Sequence, residues 1–399
     1  MDQMAKCGLV GLLRQPSLFF PNGNASKYLH RQRFIAGLRK SNNTPAREIN
    51  NASNLTPKPI QIKGLKKARW TNFVNATVRS SPSDVGSHLV KVGLTIDHEL
   101  QCALDSVLRE ASLDPNVTHV AGAILSNLTG DLLSESAWSS GQEWEFSPTF
   151  SGRIQPGSTY KTFAYLAALE SGFTSELQLE SYPFESTFLK NNDGKSWKVR
   201  NYAETYRGWI TLREALQQSD NTAFARLSEI IDPCCLGSAY SRFGFCAPGQ
   251  VTPAYVLGAS QGVSLLDLAS AYATIARNGV SITPRFIRFA QYADGSVQHF
   301  RSNQESTIII KDRFAVDELR AALRNSSGLF SSFKLSGKTG TTKNGSIFAG
   351  YNDRLSLSIW LNHKITPEET NVKSITAIKT VESLLATGLL AYKKDIFSI

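Results

Sequence analysis

An α+β fold, with an antiparallel sheet carrying helices on its faces plus a largely helical lobe, is what this 399-residue chain predicts. Three observations carry that prediction. Two strand-like runs, His119 to Ser126 and Leu132 to Trp138, are joined by Asn127-Leu128-Thr129-Gly130 and read as a β-hairpin. Three more extended runs end the domain: Phe333 to Thr342, Ser346 to Tyr351 and Leu355 to Leu361, with turns at Lys343-Asn344-Gly345 and Asn352-Asp353. Between the two strand-rich ends the apolar residues recur with helical period.

In chain order, Lys91 to Asp97 reads as a strand entering a helix, with Asp97 as N-cap and Leu100, Leu104, Val107 and Leu108 at helical spacing. After the hairpin, Pro156-Gly157 precedes a helix with Tyr160, Phe163, Ala164, Ala167 and Ala168 on one face and Gly172 as its stop. That helix should be buried. Thr211-Leu212-Arg213-Glu214 is a capping-box pattern, and Ser264-Leu265-Leu266-Asp267 is a looser one, so helices are expected to begin at both. A terminal helix from about Ile375 to Ala391 would cover the sheet. There is no internal repeat.

The composition is that of a globular protein, 41% hydrophobic, with 43 Lys and Arg against 33 Asp and Glu and a net charge of +10. The basic excess is concentrated in the first 80 residues, around Arg31, Arg33 and Lys63 to Arg69. No nucleic-acid-binding motif accompanies it, so nucleic acid is not expected as a partner. The cysteines are Cys7, Cys102, Cys234, Cys235 and Cys246, an odd number, none at metal-ligand spacing with histidine. No metal and no cofactor is expected. A bridge from Cys234 or Cys235 to Cys246 in an oxidising compartment and a set of free thiols both remain open. Neither an export signal nor a span of ~18 apolar residues is evident.

Chemistry enters with three short motifs in a fixed order: Ser158-Thr159-Tyr160-Lys161, Ser219-Asp220-Asn221 and Lys338-Thr339-Gly340. Each alone is weak, because Ser331 to Lys334 repeats the first pattern and Ser41 to Asn43 the second. Together they supply a nucleophile and two lysines. Ser158 is expected to open its helix, where unpaired N–H groups and the helix dipole favour developing negative charge. Lys161, one turn on, projects from the same face within reach of the Ser158 hydroxyl. To accept that proton the lysine must be neutral, which burial and a neighbouring cation, Lys338, would promote. In isolation the same spacing would describe a serine N-cap beside a solvated lysine.

With Gln155-Pro156 leading into Gly157-Ser158, Leu212 to Leu216 leading into Ser219, and Leu257 to Ser260, Leu268 to Tyr272 and Lys338 to Thr342 beyond, the chain resembles penicillin-binding transpeptidases from about Lys91 to Leu361. The resemblance implies a β-lactamase/transpeptidase-like fold and a serine D,D-transpeptidase that cross-links peptidoglycan stem peptides through an acyl-enzyme. It implies Ser158 as nucleophile, Lys161 as base and Ser219 as a proton relay. Asn221, Lys338, Thr339, Gly340 and Thr341 would bind substrate. Backbone N–H groups of Ser158 and Thr341 would form the oxyanion hole. β-Lactams would acylate the same serine, and cell-wall synthesis proteins would be its other partners. The cell envelope, at the outer face of the cytoplasmic membrane or in the periplasm, is the implied location.

The resemblance also divides the chain into residues 1–63, similar to the end of the glycosyltransferase domain of bifunctional, class A members, a linker at 64–90, and the transpeptidase domain at 91–399. Two departures stand out. Where the family has Asp-Ala-Trp-Phe ahead of Gly-Tyr, this chain has Gly345-Ser346-Ile347-Phe348, and Thr162 stands where the family often has proline. A class A β-lactamase would need a glutamate with asparagine four residues on between the second and third motifs; Glu229, Glu305 and Glu318 all lack it. A D,D-carboxypeptidase, or a non-catalytic peptidoglycan- or penicillin-binding module, are the competing readings.

Overall fold

In the computed structural model the described residues are 89–387, apart from 145–147, 151–152, 191–195, 246–250, 260–261, 301–305, 325–334 and 365–374. The expected segment 1–63, almost all of the linker, the Ser41 triplet and the second Ser-x-x-Lys pattern lie outside them.

The chain begins with β1 (Leu89–Leu94), α1 (His98–Ala111), β2 (Val117–Ser126), β3 (Leu132–Ser139) and β4 (Gln142–Glu143). Helix α2 (Lys161–Glu170) opens a lobe that continues through β5 (Gln178–Ser181), β6 (Phe184–Lys190), β7 (Ser196–Val199) and β8 (Gly208–Thr211). Five helices follow: α3 (Leu212–Gln217), α4 (Asn221–Ile230), α5 (Pro233–Ser241), α6 (Pro253–Val256) and α7 (Leu265–Ala276). Strands β9 (Val280–Ile282), β10 (Ile287–Tyr292), β11 (Val297–His299) and β12 (Ser306–Ile308) lead to α8 (Arg313–Arg324). The last elements are β13 (Ser336–Thr342), β14 (Gly345–Tyr351), β15 (Leu355–His363) and α9 (Ile375–Ala386).

Six strands in the order β13-β14-β15-β2-β3-β4 form one antiparallel sheet. Chain ends that are far apart in sequence meet at its centre, where Ile359 of β15 lies opposite Gly122 of β2. Alternation along β2 divides the core in two. Val120 and Ile124 join Leu100, Leu104 and Leu108 of α1 and Val381 and Leu384 of α9 on one face. Ala121, Ala123 and Leu125 face the other way, toward α7 and the lobe. Small side chains on that second face let α7 approach closely enough for Ser358 Oγ to donate to the Leu265 carbonyl at 2.7 Å. Burying each of the α1 leucines contributes roughly 2 kcal/mol, so this face anchors the sheet.

The predicted caps are present: Asp97 accepts from Leu100 N, Thr211 and Glu214 form a capping box, and Ser264 accepts from Asp267 N. Strand β1 pairs with β10 in a separate three-stranded sheet and does not extend into the main one. Helix α2 buries every residue from Lys161 to Leu169, as expected of it, because it runs through the middle of the lobe. Tyr160 and Phe163 at its start pack with Tyr240, Phe245, Tyr255 and Tyr272 in an aromatic cluster. No helix among the described residues is long and apolar enough to cross a membrane. Cys234 and Cys235 are free and exposed, and their expected partner Cys246 lies outside the described residues.

Candidate active site

Ser158 sits in a 3-10 turn, Gly157–Tyr160, and the α-helix proper begins only at Lys161. The expectation that Ser158 opens the α-helix is therefore off by this tighter turn. Two features make it: Gly157 adopts φ 52°, and Thr159 Oγ1 donates to the Pro156 carbonyl at 2.7 Å. The turn lies against β13. A Cβ on Gly340 would come within 2.5 Å of the Pro156 carbonyl oxygen and 3.2 Å of the Ser158 nitrogen, so only glycine allows the strand this close. On the opposing side, Gly157 lies against the backbone of Thr341. The structure thus brings the backbones of Ser158 and Thr341 together, with Ser158 partly exposed and the Thr341 side chain exposed.

Lys161 is fully buried and donates to the Ser219 carbonyl at 2.6 Å and to Asn221 Oδ1 at 2.7 Å. Its ammonium also lies 5.6 Å from the centre of the Phe224 ring. Ser219 Oγ stands 3.5 Å from Lys161 Nζ and accepts from Lys338 Nζ at 2.9 Å. Lys338 donates in addition to the Thr339 carbonyl at 3.0 Å. The four predicted side chains Lys161, Ser219, Asn221 and Lys338 therefore form one connected network. No hydrogen bond among the described residues joins Lys161 to the Ser158 hydroxyl, contrary to the direct contact that the one-turn spacing suggests. Two oxygens of the second motif draw the ammonium toward themselves.

Burial pushes Lys161 well below the usual lysine range, the nearby Lys338 lowers it further, and Asp220 opposes the shift. Burial alone brings Lys338 down to about 7. Both shifts favour the neutral amine that acid–base work requires of a lysine. Asp220 faces away from the lysines. It caps α4 by accepting from Ala223 N at 2.8 Å, and it receives bonds from Ser181, Asn201 and Thr222.

The two departures have structural counterparts. Thr162 Oγ1 meets the Tyr272 hydroxyl at 2.8 Å inside the lobe, so a threonine is satisfied where the family often has proline. Strands β13 and β14 are joined by the two-residue turn Lys343-Asn344, and Ile347 lies opposite Gly340 in the register, which sets an apolar side chain against β13. Asn201 was not legible from the sequence. It lies in a stretch without a motif and reaches the second motif only through the fold.

The penicillin binding protein transpeptidase domain model matches residues 124–360, more than half of the chain, and the chain belongs to that family. Penicillin-binding protein 2D of Bacillus subtilis (strain 168) is 24% identical over 406 residues, spanning 94% of this chain and 57% of the relative. Penicillin-binding protein 1A of Rickettsia bellii (strain RML369-C) is 32% identical over 154 residues, 38% of this chain and 19% of the relative. The chain thus spans little more than half the length of the first relative and less of the second. Among solved structures, penicillin-binding protein 1A from Haemophilus influenzae superposes with a TM-score of 0.68 at 17% identity, covering 94% of this chain and 78% of that one. PonA1 from Mycobacterium tuberculosis in complex with penicillin V gives 0.64 at 22%, covering 81% and 90%. These likenesses show the transpeptidase-type α+β fold.

Proposed function

We propose that this chain is a serine D,D-transpeptidase of the bacterial cell envelope, attacking the penultimate D-Ala carbonyl of a peptidoglycan stem peptide and passing the acyl group to an amine on a neighbouring stem. The observation that carries the reading is the network linking Lys161 and Lys338 through Ser219, set beside Ser158. In this reading Lys161 withdraws the Ser158 proton directly or through the Ser219 hydroxyl, Ser158 Oγ bonds to the carbonyl carbon, and the C–N bond to the terminal D-Ala breaks as its amine takes the proton back. Ser158 N and Thr341 N stabilise the oxyanion, each such donor being worth ~3 kcal/mol in comparable acyl-transfer sites. Lys338, with Thr339 and Thr341, binds the terminal carboxylate, and Asn221 holds the peptide backbone. Gly340 lets the substrate strand lie against β13 as an added strand. β-Lactams enter as mimics of the same substrate.

In this reading the working site lies where peptidoglycan is assembled, on the outer side of the cytoplasmic membrane. The test has two arms. A fluorescent penicillin should label the protein at Ser158, and a stem peptide ending in D-Ala-D-Ala should release D-Ala and yield a peptide-bonded product when an acceptor amine is supplied. Labelling with hydrolysis alone would identify a D,D-carboxypeptidase. Absence of labelling would identify a non-catalytic module.

A further inference from the structure

The turn Ser219-Asp220-Asn221 is held from behind by a side chain that touches neither lysine. Asn201 is 8% exposed, and its Oδ1 accepts from the backbone nitrogens of Asn221 at 2.8 Å and Thr222 at 3.1 Å, the first two residues of α4. These are N–H groups that a helix cannot satisfy internally. Its Nδ2 donates to Asp220 Oδ2 at 2.6 Å and to the Thr205 carbonyl at 3.0 Å, with Ser181 Oγ at 3.2 Å. Ser181 donates to the same Asp220 oxygen at 2.5 Å and accepts from Arg207 N at 3.1 Å. Every polar atom of the Asn201 amide is engaged.

The surrounding backbone is bent to make this possible. Ala203 and Glu204 both take left-handed conformations, at φ 52° and 50°, and so turn the chain until Thr205 meets Asn201. On the other side of the amide, Ser219 is itself left-handed at φ 56°, the conformation that aims its carbonyl at Lys161. The residue before Asn201 adds a further constraint. The Arg200 carbonyl accepts from Asn221 Nδ2 at 3.1 Å, which fixes that amide with its Oδ1 toward Lys161.

We infer that Asn201 is a positioning residue for acyl transfer, setting Ser219 and Asn221 against Lys161 by holding the first turn of α4. The inference rests on the transpeptidase reading and adds a residue to its machinery. Both acceptors of the Lys161 ammonium belong to the segment that Asn201 holds, so a small shift there moves both at once. Lys338 meets that segment through the Ser219 hydroxyl alone and keeps a second bond to the Thr339 carbonyl, and Thr339 to Thr341 lie on β13 outside it, so binding is affected less than the rate.

The limiting rate of acylation by benzylpenicillin and its half-saturating concentration, measured on the full chain, test this. Asn201→Ala should lower the limiting rate ~10- to 100-fold, the size expected of a slight misplacement, while the half-saturating concentration changes less than about threefold. In an Asn221→Ala background the same change should cost at least about fivefold less, because residues acting through one another are not additive. Full additivity, or an equal change in both constants, would overturn the inference. Asn201→Asp keeps the Oδ1 acceptor but sets a second carboxyl beside Asp220. At low pH one of the pair retains a proton and replaces the lost donor; at high pH both ionise and repel. Its rate relative to wild type should fall as pH rises, and a flat ratio near one would count against the role even if Asn201→Ala does not fold. A wild-type protein that penicillin fails to acylate removes the transpeptidase reading and this inference with it. A labelled wild type with an equally fast Asn201→Ala removes only the inference.

Discussion

Lys161 and Lys338 converge on one hydroxyl, with Ser219 Oγ 3.5 Å from the first ammonium and 2.9 Å from the second. The two residues come from elements that approach only in the folded molecule, the central helix of the lobe and the edge strand of the sheet. Two full positive charges this close in a buried site repel strongly, which is why Lys338 counts among the causes that lower Lys161. Burial and this repulsion both bias Lys161 toward its neutral form beside the Lys338 ammonium. That state contains a neutral amine, as a base must, and can still present a cation to a carboxylate.

Acylation follows directly from this arrangement. Exposure to benzylpenicillin should add the mass of the intact drug to Ser158, and Ser158→Ala should abolish the adduct. The adduct should persist, because none of Glu229, Glu305 and Glu318 carries the asparagine spacing of a deacylating glutamate. Intact-mass measurement over minutes to hours checks both claims. Loss of the adduct within seconds would indicate a β-lactamase.

The two lysines should fail in different ways. On the proposed roles, Lys161→Ala removes the base and should lower the limiting acylation rate by ~100-fold or more. Lys338→Ala removes the charge proposed to meet the drug carboxylate, and should raise the half-saturating concentration ~10- to 100-fold with a smaller effect on the rate. Stopped-flow acylation of both variants separates the constants. Identical profiles would contradict the division of labour.

The pH dependence has a definite sign. In the proposed role Lys338 would bind a carboxylate only while protonated, and burial brings it down to about 7 in the free protein. As pH rises from about 7 toward 9 its charge is lost, so the half-saturating concentration for penicillin should increase. Lys338→Ala has no such charge to lose and should show a flat profile over that range. The same shift acts on stability in the opposite direction. The unfolded lysine, with its ordinary pKa near ~10.4, holds more protons than the folded one, so Lys338 favours the fold more as pH rises from 7 to about 10.

Much of this site could be read from local sequence, and what escaped did so for identifiable reasons. Ser158, Lys161 and Lys338 announce themselves because motif spacing is set by one helical turn or one strand. The caps at Asp97, Thr211 and Ser264 were legible for the same reason. Spacing gives proximity and not direction, however: Lys161 is one turn from Ser158 yet bonds to Ser219 and Asn221. The pairing of β1 with β10 joins residues nearly two hundred positions apart, which no hydrophobic period encodes. Asn201 escaped because its role is defined entirely by partners in β5 and α4, on either side of it in the chain.

Domain organisation is open to a simple experiment. The described residues from Leu89 onward include both core clusters and the whole lysine network. We propose that residues 1–63 are a separate N-terminal segment, joined to the transpeptidase domain at 91–399 by the 64–90 linker. A protein beginning at residue 88 should therefore fold and bind penicillin as the full chain does. That N-terminal stretch contains only Asp2 and Glu48 as acidic residues, so it should show no sugar-transfer activity of its own. A shortened chain that folds but no longer binds drug would show that the segment supports the active domain.

Ser219 separates stability from activity within one residue. Its φ of 56° is unfavourable for any side chain with a Cβ, by ~1–2 kcal/mol, and it is held by the bonds around Asp220 and Asn201. Ser219→Ala keeps the strain and removes the hydroxyl between the lysines. Ser219→Gly removes both, although the glycine gives back ~0.5–1 kcal/mol through the freer unfolded chain. Denaturant unfolding should accordingly find the glycine variant the more stable of the two by ~0.5–1 kcal/mol. Acylation should be slowed in both, since each lacks the hydroxyl that links Lys161 to Lys338. An alanine variant as stable as the glycine one would show that the left-handed turn is not strained. A glycine variant that acylates at the wild-type rate would remove Ser219 from the proton path.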